Sequence, residues 1–527
     1  MHSCIPCVVS SLIVMLLVSG CPVQTTGGGN EHRDPPGPPG RVAPRSRAVT
    51  PDASSRTRRA AAVLGPRERA LIERFFARYS GDRPGASFIM IKGGKILAQK
   101  SYGYADLTRR VKASAATNYR TASVTKQFTA MAVMLLIHDK KLSYESTLTD
   151  VFGDFPAYGK KITIKHLLRH RSGLVDYRKL IRKDRRDQVL DSEVLRLMKT
   201  QRRTLFPPGT RYKYSNSGYA VLAEVVARVS GVSFAQFLKR RIFEPLGMKH
   251  SAVVAQGTSV ANRALGHVFD GTQFVQKDQS VTSAVQGDGG VYTSILDYTK
   301  WDRALSAATL LPRSAWQEAL TPRYDDPSLL VRKYGHGWRI DHVGSTKLVH
   351  HSGHTLGFTN YTLRIPQQGF TFAAFTNRGS EDAVIRIGNT LAALFSGADL
   401  PVPIEAYVEA AFDAEGTSAA LQTFRRLKTR RDRRYLIGED ALLVVGRKLR
   451  RRGKTKDAIR VYRFNLKENP LSFRTWFELA NCQHELGSKE RAAASYTKAL
   501  RLIPKLYREV FETATKRIAR SETSRRQ

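Results

Sequence analysis

Three short stretches hold side chains that could run acyl transfer. Ser123-Val124-Thr125-Lys126 sets a hydroxyl and an amine three residues apart, at the start of the apolar run TASVTKQFTAMAVMLL (121–136). On a helix such positions share a face, so the two groups fall within hydrogen-bond reach. A serine hydroxyl is a poor nucleophile near neutral pH and needs a base or a positive field beside it, and a lysine in apolar surroundings can supply either. Tyr214-Ser215-Asn216 is the one Tyr-x-Asn begun by any of the 20 tyrosines, and His351-Ser352-Gly353 lies in LVHHSGHTLGF.

Taken singly these patterns carry little. Ser-x-x-Lys recurs as Ser495-Tyr496-Thr497-Lys498, where a solvated helix face is the simplest reading. His166 and His170 stand at i and i+4, but no Glu sits between them as in His-Glu-x-x-His, so they read as packing residues rather than metal ligands. Gly453-Lys454-Thr455 ends like a phosphate-binding loop, yet Lys448 stands where its first glycine belongs. No Gly-x-Ser-x-Gly elbow occurs, which argues against an α/β-hydrolase.

In this order the three motifs resemble the serine β-lactamase and penicillin-binding-protein superfamily, closest to its class C and esterase/peptidase branch. GYADL from Gly103, ITIKHLLRHRSGLVDY from Ile162, FPPGTRYKYSNSGY from Phe206, IFEPLGM from Ile242 and GDGGVYTSILDYTKW from Gly287 fit the same resemblance. It implies that Ser123 attacks a carbonyl to form an acyl-enzyme, that Lys126 eases its deprotonation and that Tyr214 serves as base and then acid. It further implies that Asn216 bonds the substrate, that His351 faces the pocket, and that the N–H groups of Ser123 and His354, beside Gly353, hold the oxyanion. His351 stands where β-lactamases usually place a lysine for the lactam carboxylate. An imidazole with an ordinary pKa near 6.5 carries only partial charge there. The expected substrate is therefore a small peptide, a D-amino-acid amide or an ester, with weak β-lactam binding or hydrolysis at most. No cofactor and no metal are expected.

The elements that must position these groups follow from hydrophobic period. Arg67–Tyr79 reads as helix, and Ala86–Asp106 reads as two strands turning at Gly93-Gly94. Tyr219–Val229 reads as helix, Tyr361–Asn377 as a second hairpin and Ala383–Phe395 as a helix. Strands at both ends with helices between predict an α/β (α+β) fold, an antiparallel sheet with helices on both faces and a mostly helical subdomain, β-lactamase/transpeptidase-like. That domain is expected over 67–400.

An α-helical repeat domain is expected over 404–527. Leu442, Gly453, Ala458, Tyr462 and Pro470 recur 34 residues later as Trp476, Gly487, Ala492, Tyr496 and Pro504, which resembles a tetratricopeptide repeat. Its two copies are expected to lean on helices over Ala419–Ile437 or on the catalytic body, and to recruit a protein partner.

Ile5–Val18 is too short for a comfortable membrane span and precedes Val18-Ser19-Gly20-Cys21. This resembles a lipoprotein signal over 1–21 with Cys21 accepting lipid, although no Lys or Arg precedes the apolar run. Residues 22–66, rich in Gly, Pro, Ser and Arg, read as a disordered tether. An exported, envelope-facing protein anchored to the membrane through lipid is the expectation. Only Cys482 of the 4 cysteines would then remain in the folded part, so no disulfide framework forms.

The excess of 86 Lys+Arg over 45 Asp+Glu leaves a net charge of +41. Basic clusters at 178–186, 425–434 and 447–456 lack interleaved aromatics for base stacking, so nucleic acid is an unlikely partner. A solvated face, or attraction to anionic lipid and wall polymer, fits better. The rival reading is a catalytically silent scaffold that binds cell-wall peptides while the repeats assemble a complex.

Overall fold

The computed structural model describes residues 64–254, 259–321, 333–430, 432 and 434–503. Cys21 with the expected leader and tether up to residue 63, and residues 504–527 of the expected repeat domain, therefore lie outside the described residues. The chain divides into a large unit, residues 63–468, and a second unit whose described part is 469–503.

Seven antiparallel strands form the main sheet of the large unit: β1 (Ala86–Lys92), β2 (Lys95–Tyr102), β3 (Lys333–Tyr334), β4 (Arg339–Val343), β5 (Thr346–Thr355), β6 (Phe358–Ile365) and β7 (Phe370–Thr376). Their spatial order is β3-β4-β5-β6-β7-β1-β2. β1 pairs with β7 in the register Ala86↔Thr376 to Lys92↔Phe370, so an early and a late segment close the sheet, as the two hairpins predict. β1 and β7 are buried along nearly their whole length, which requires cover on both faces.

That cover is helical. α1 (Pro66–Phe76) and α5 (Ala383–Phe395) share one core with Phe88, Met90, Phe370 and Phe372, and Phe76 stacks on Phe88 at 4.4 Å. On the other face α2 (Lys126–His138), α3 (Asn216–Ser230) and α4 (Ile295–Ala307) build the larger core with Ile89, Ala373 and Phe375. α2 buries every residue from Lys126 to Leu136, so it is apolar all round except at its two ends. Each large apolar side chain buried this way contributes roughly 1.5–3 kcal/mol. The fold is thus the mixed α/β architecture with an antiparallel sheet that the sequence predicts, followed by a helical region.

After the sheet come α6 (Glu405–Glu415), α7 (Thr417–Thr429), α8 (Asp440–Arg451) and α9 (Thr455–Glu468), all within the large unit. The helix expected to reach Ile437 stops at Thr429, and Tyr435–Leu436 instead pairs in parallel with Val402–Pro403. α6 and α8 join the sheet-bearing body through buried charge. Glu409 of α6 accepts from Arg386 at 2.8 and 2.9 Å and pairs with Arg78 and with Lys448 of α8, the last at 2.7 Å. Such pairs add little net stability, but removing one partner strands a buried charge at a cost of ~3–5 kcal/mol.

The second unit holds α10 (Phe473–Glu485) and α11 (Lys489–Leu502). α8–α9 and α10–α11 each turn at a left-handed glycine, Gly453 and Gly487, the positions related by the 34-residue period. Ser495 is not on a solvated face. It is buried and donates to Gln483 Oε1 at 2.8 Å, because it lies on the side of α11 that meets α10.

No single described helix is long and apolar enough to cross a membrane.

Candidate active site

Ser123 stands in a 3-10 turn, Ala122–Thr125, that runs directly into α2 at Lys126, rather than on the α-helix itself. Ala122 just before it has φ +49, a left-handed conformation rare for a residue with a side chain. Such strain persists only where surrounding contacts impose it. Here the contact is β5: a Cβ on Gly353 would lie 2.1 Å from Thr121 O and 3.3 Å from the Ala122 Cβ. Only glycine lets the strand sit on the backbone of the turn, and this is why His-x-Gly and Ser-x-x-Lys arrive at one place.

Lys126 is fully buried. Its Nζ lies 3.2 Å from Ser123 Oγ, 2.9 Å from Asn216 Oδ1 and 2.7 Å from the Asp288 carbonyl oxygen. Three acceptors around one amine match the three hydrogens of an ammonium. Donating to Ser123 Oγ leaves the serine's own proton free to go to a different base. The Tyr214 ring centre lies 5.0 Å from Lys126 Nζ, and the Tyr219 ring centre 5.4 Å from it. The carbonyl oxygen of Asn216 is thus taken by Lys126, which leaves its NH₂ as the group free for a substrate.

α3 places Asn216 at its first residue. Ser215 caps that helix by accepting the Gly218 N–H, so Tyr214 is held in the extended segment just before the cap. His170 fixes the segment: its Nδ1 accepts the Ser215 N–H at 3.1 Å, and its ring centre lies 4.2 Å from that of Tyr214.

His170 corrects the helical reading. The helix containing His166 ends at Leu168, and His170 has φ +56, which turns it away from His166 and into the cleft. His166 instead caps its own helix, with Nδ1 accepting the Thr163 N–H at 3.3 Å. Among the described residues no cluster of His, Cys, Asp and Glu could hold a metal ion.

His351 is fully buried on β5. Its Nδ1 lies 2.7 Å from the Ser352 carbonyl, which can only accept, so the proton sits on Nδ1. Nε2 then accepts from the Tyr334 hydroxyl at 2.9 Å. Burial, with Arg339 and Lys126 nearby, holds the His351 pKa well below its ordinary value, and burial likewise lowers His170. The partial charge expected of His351 near neutrality is therefore absent, because a cation is costly beside two others in a desolvated cleft.

Sequence reasoning missed the cation that does face this cleft. Arg339, on β4, lies with Cζ 5.5 Å from the centre of the Tyr214 ring. Its Nε is buried without a hydrogen-bond partner, and the side chain makes no ion pair among the described residues. No motif marks it. His354, the last of the expected site residues, turns its side chain outward, with Nε2 2.7 Å from Asp382 Oδ1.

The profile of the Beta-lactamase family matches residues 69–395, more than half of the chain. The chain belongs to the Beta-lactamase family. Penicillin-binding protein 4* of Bacillus subtilis is 29% identical over 304 residues, which is 54% of this chain and 66% of that relative, so the chain spans just under two thirds of its length. The octameric penicillin-binding protein homologue from Pyrococcus abyssi superposes with a TM-score of 0.55 at 25% identity, covering 66% of this chain and 80% of that one. A penicillin binding protein from Bacillus halodurans gives 0.53 at 27% identity, covering 62% and 98%. Helices α6 to α11 lie beyond the Beta-lactamase match.

A neutral His351 has a kinetic consequence for a Beta-lactamase-family site. Because burial, with Arg339 and Lys126 nearby, holds its pKa well below the ordinary imidazole value, His351 is expected to be neutral at pH 6.5 and above. His351→Gln is expected to lower kcat only about threefold to tenfold, through the lost Tyr334 contact, and to leave the shape of the kcat/KM profile unchanged. An inflection near pH 6.5 that vanishes in the variant would contradict this.

Proposed function

We propose that the chain is a serine acyl-hydrolase that cleaves a peptide, a D-amino-acid amide or an ester through a covalent acyl-enzyme. Ser123 Oγ attacks the carbonyl carbon and gives its proton to Tyr214. The oxyanion is received by the N–H groups of Ser123 and His354. Tyr214 then protonates the leaving amine or alcohol, and water repeats the sequence to release the acid. Lys126, donating to Ser123 Oγ, supplies a positive field that stabilises the negative charge developing on the serine oxygen as its proton leaves. One observation carries the reading: a single buried amine within 3.2 Å of Ser123 Oγ and 2.9 Å of Asn216 Oδ1, under the Tyr214 ring. Hydrolysis by the full chain of p-nitrophenyl esters, D-amino-acid p-nitroanilides and nitrocefin tests it, with an ester or anilide expected to turn over fastest.

Arg339 supports a preference within that class. A half-buried guanidinium whose Nε is buried without a hydrogen-bond partner favours a substrate that brings a carboxylate, a duty neutral His351 cannot perform. Arg339→Leu is expected to raise KM about tenfold to hundredfold for a peptide with a free carboxylate and to change a neutral ester less than about threefold. Equal effects on both substrates would remove the assignment.

Export with lipid on Cys21 and recruitment of a protein by the helical repeats belong to the same proposal, supported by Val18-Ser19-Gly20-Cys21 and by the 34-residue period. Metabolic palmitate labelling that is lost in Cys21→Ala tests the first. Pull-down of an envelope protein by the full chain, lost when surface residues of α10 and α11 are changed, tests the second.

A further inference from the structure

The end of β5 that carries His354 rests on segment 377–382. Gly379 donates its N–H to His267 O at 2.8 Å, and His267 donates its own to Asn377 O at 2.9 Å. A Cβ on Gly379 would lie 1.8 Å from Leu356 O, so the segment is seated directly against the turn between β5 and β6. Asp382 then reaches across to His354 Nε2 at 2.7 Å. Gly353 has no side chain with which to anchor the strand, and the His354 side chain is 40% exposed. The bond to Asp382 therefore tethers this strand end through a side chain.

The same segment is clamped by helices that the family match leaves out. Arg451 of α8 donates to Ser380 O at 2.8 Å. Glu381 accepts from Arg378 at 2.7 Å and from Arg78, and Arg78 also pairs with Glu409 of α6. Arg386, one turn into α5 and bonded to Glu409, is among the cations that hold the Asp382 carboxyl charged. Ser380 has φ +62, a conformation that a residue with a side chain keeps only under such support.

We propose that Asp382 is a positioning residue for the acyl transfer, and that α6 and α8 are the clamp that sets segment 377–382 and, through Asp382, the His354 N–H. The inference rests on the proposed function for its kinetic readout. An oxyanion donor works only when it sits about 2.7–3.1 Å from the developing charge, and a displacement of ~1 Å can cost about a hundredfold in rate. A family fold whose strand end is held by added helices makes those helices part of the catalytic apparatus rather than an appendage.

Two measurements on the full chain test this. In ester hydrolysis, Asp382→Ala is expected to lower kcat about tenfold with KM and the thermal midpoint retained, Asp382→Asn to restore most of the rate, and Arg451→Ala to lower kcat about threefold. Asp382→Ala combined with His354→Ala is expected to lose no more than either alone, because the two act as one unit. Amide hydrogen exchange of residues 353–358 is expected to speed up in Asp382→Ala and in Arg451→Ala, a readout that needs no turnover. An unchanged kcat, a loss that Asp382→Asn does not rescue, additive losses in the double variant, or unchanged exchange would each overturn the proposal. A wild-type chain that exchanges as expected but shows no Ser123-dependent turnover would overturn the proposed function instead.

Discussion

Ser123→Ala is expected to lower the hydrolysis of any substrate the chain accepts by about 10⁴-fold or more, the scale on which removing a covalent nucleophile acts. The fold should barely register the change. Ser123 is half-buried and its hydroxyl accepts from Lys126 at 3.2 Å, so the stability effect is within about 1 kcal/mol. KM should stay within a few-fold, since the proposed oxyanion donors, Arg339 and Asn216 remain in place. A variant that keeps more than about one per cent of the wild-type rate, with contamination excluded, would mean that another group attacks the substrate.

Lys126→Met is the second large effect, with an expected fall in kcat of about 10³-fold. Methionine matches the length of the lysine stem and its apolar surroundings in α2, so the core packing survives. It leaves Asn216 Oδ1 and the Asp288 carbonyl without their donor, at about 1–3 kcal/mol each, partly offset by removal of a buried charge. Thermal unfolding separates this cost from catalysis, because the rate must fall in protein that is still folded at the assay temperature. Lys126→Arg is expected to fail as well, since a planar fork cannot aim at three acceptors arranged around one point. A Met variant within tenfold of wild type would show that the field of Lys126 is dispensable.

The sequence made the polar centre legible because its chemistry is tied to short motifs. Ser123, Lys126, Tyr214 and Asn216 were each within a few residues of a recognisable neighbour, and the structure brings Lys126 to Ser123 and Asn216 directly. The sheet was legible for a different reason: two strand pairs lie near the ends of the matched segment, and their strands β1 and β7, buried along nearly their whole length, pair with each other.

What stayed hidden depends on backbone turns and on distant pairing. His170 was read as a helix residue because its i+4 spacing from His166 fits a helix, and a φ of +56 at a histidine leaves no trace in composition. Tyr334 and Arg339 belong to the edge strand and the strand next to it, with no signature beyond their types. The contacts that tie α6 and α8 to segment 377–382 join residues far apart in sequence, so no local window could propose them.

The most direct measurement is mass spectrometry of the full chain after reaction with a fluorophosphonate and, separately, with a penicillin-type probe. The expected result is one adduct of the probe's mass on the tryptic peptide containing Ser123, absent from Ser123→Ala and strongly slowed in Lys126→Met. An adduct that persists in Ser123→Ala, or a folded wild-type chain that stays unlabelled by both probes, would contradict the account.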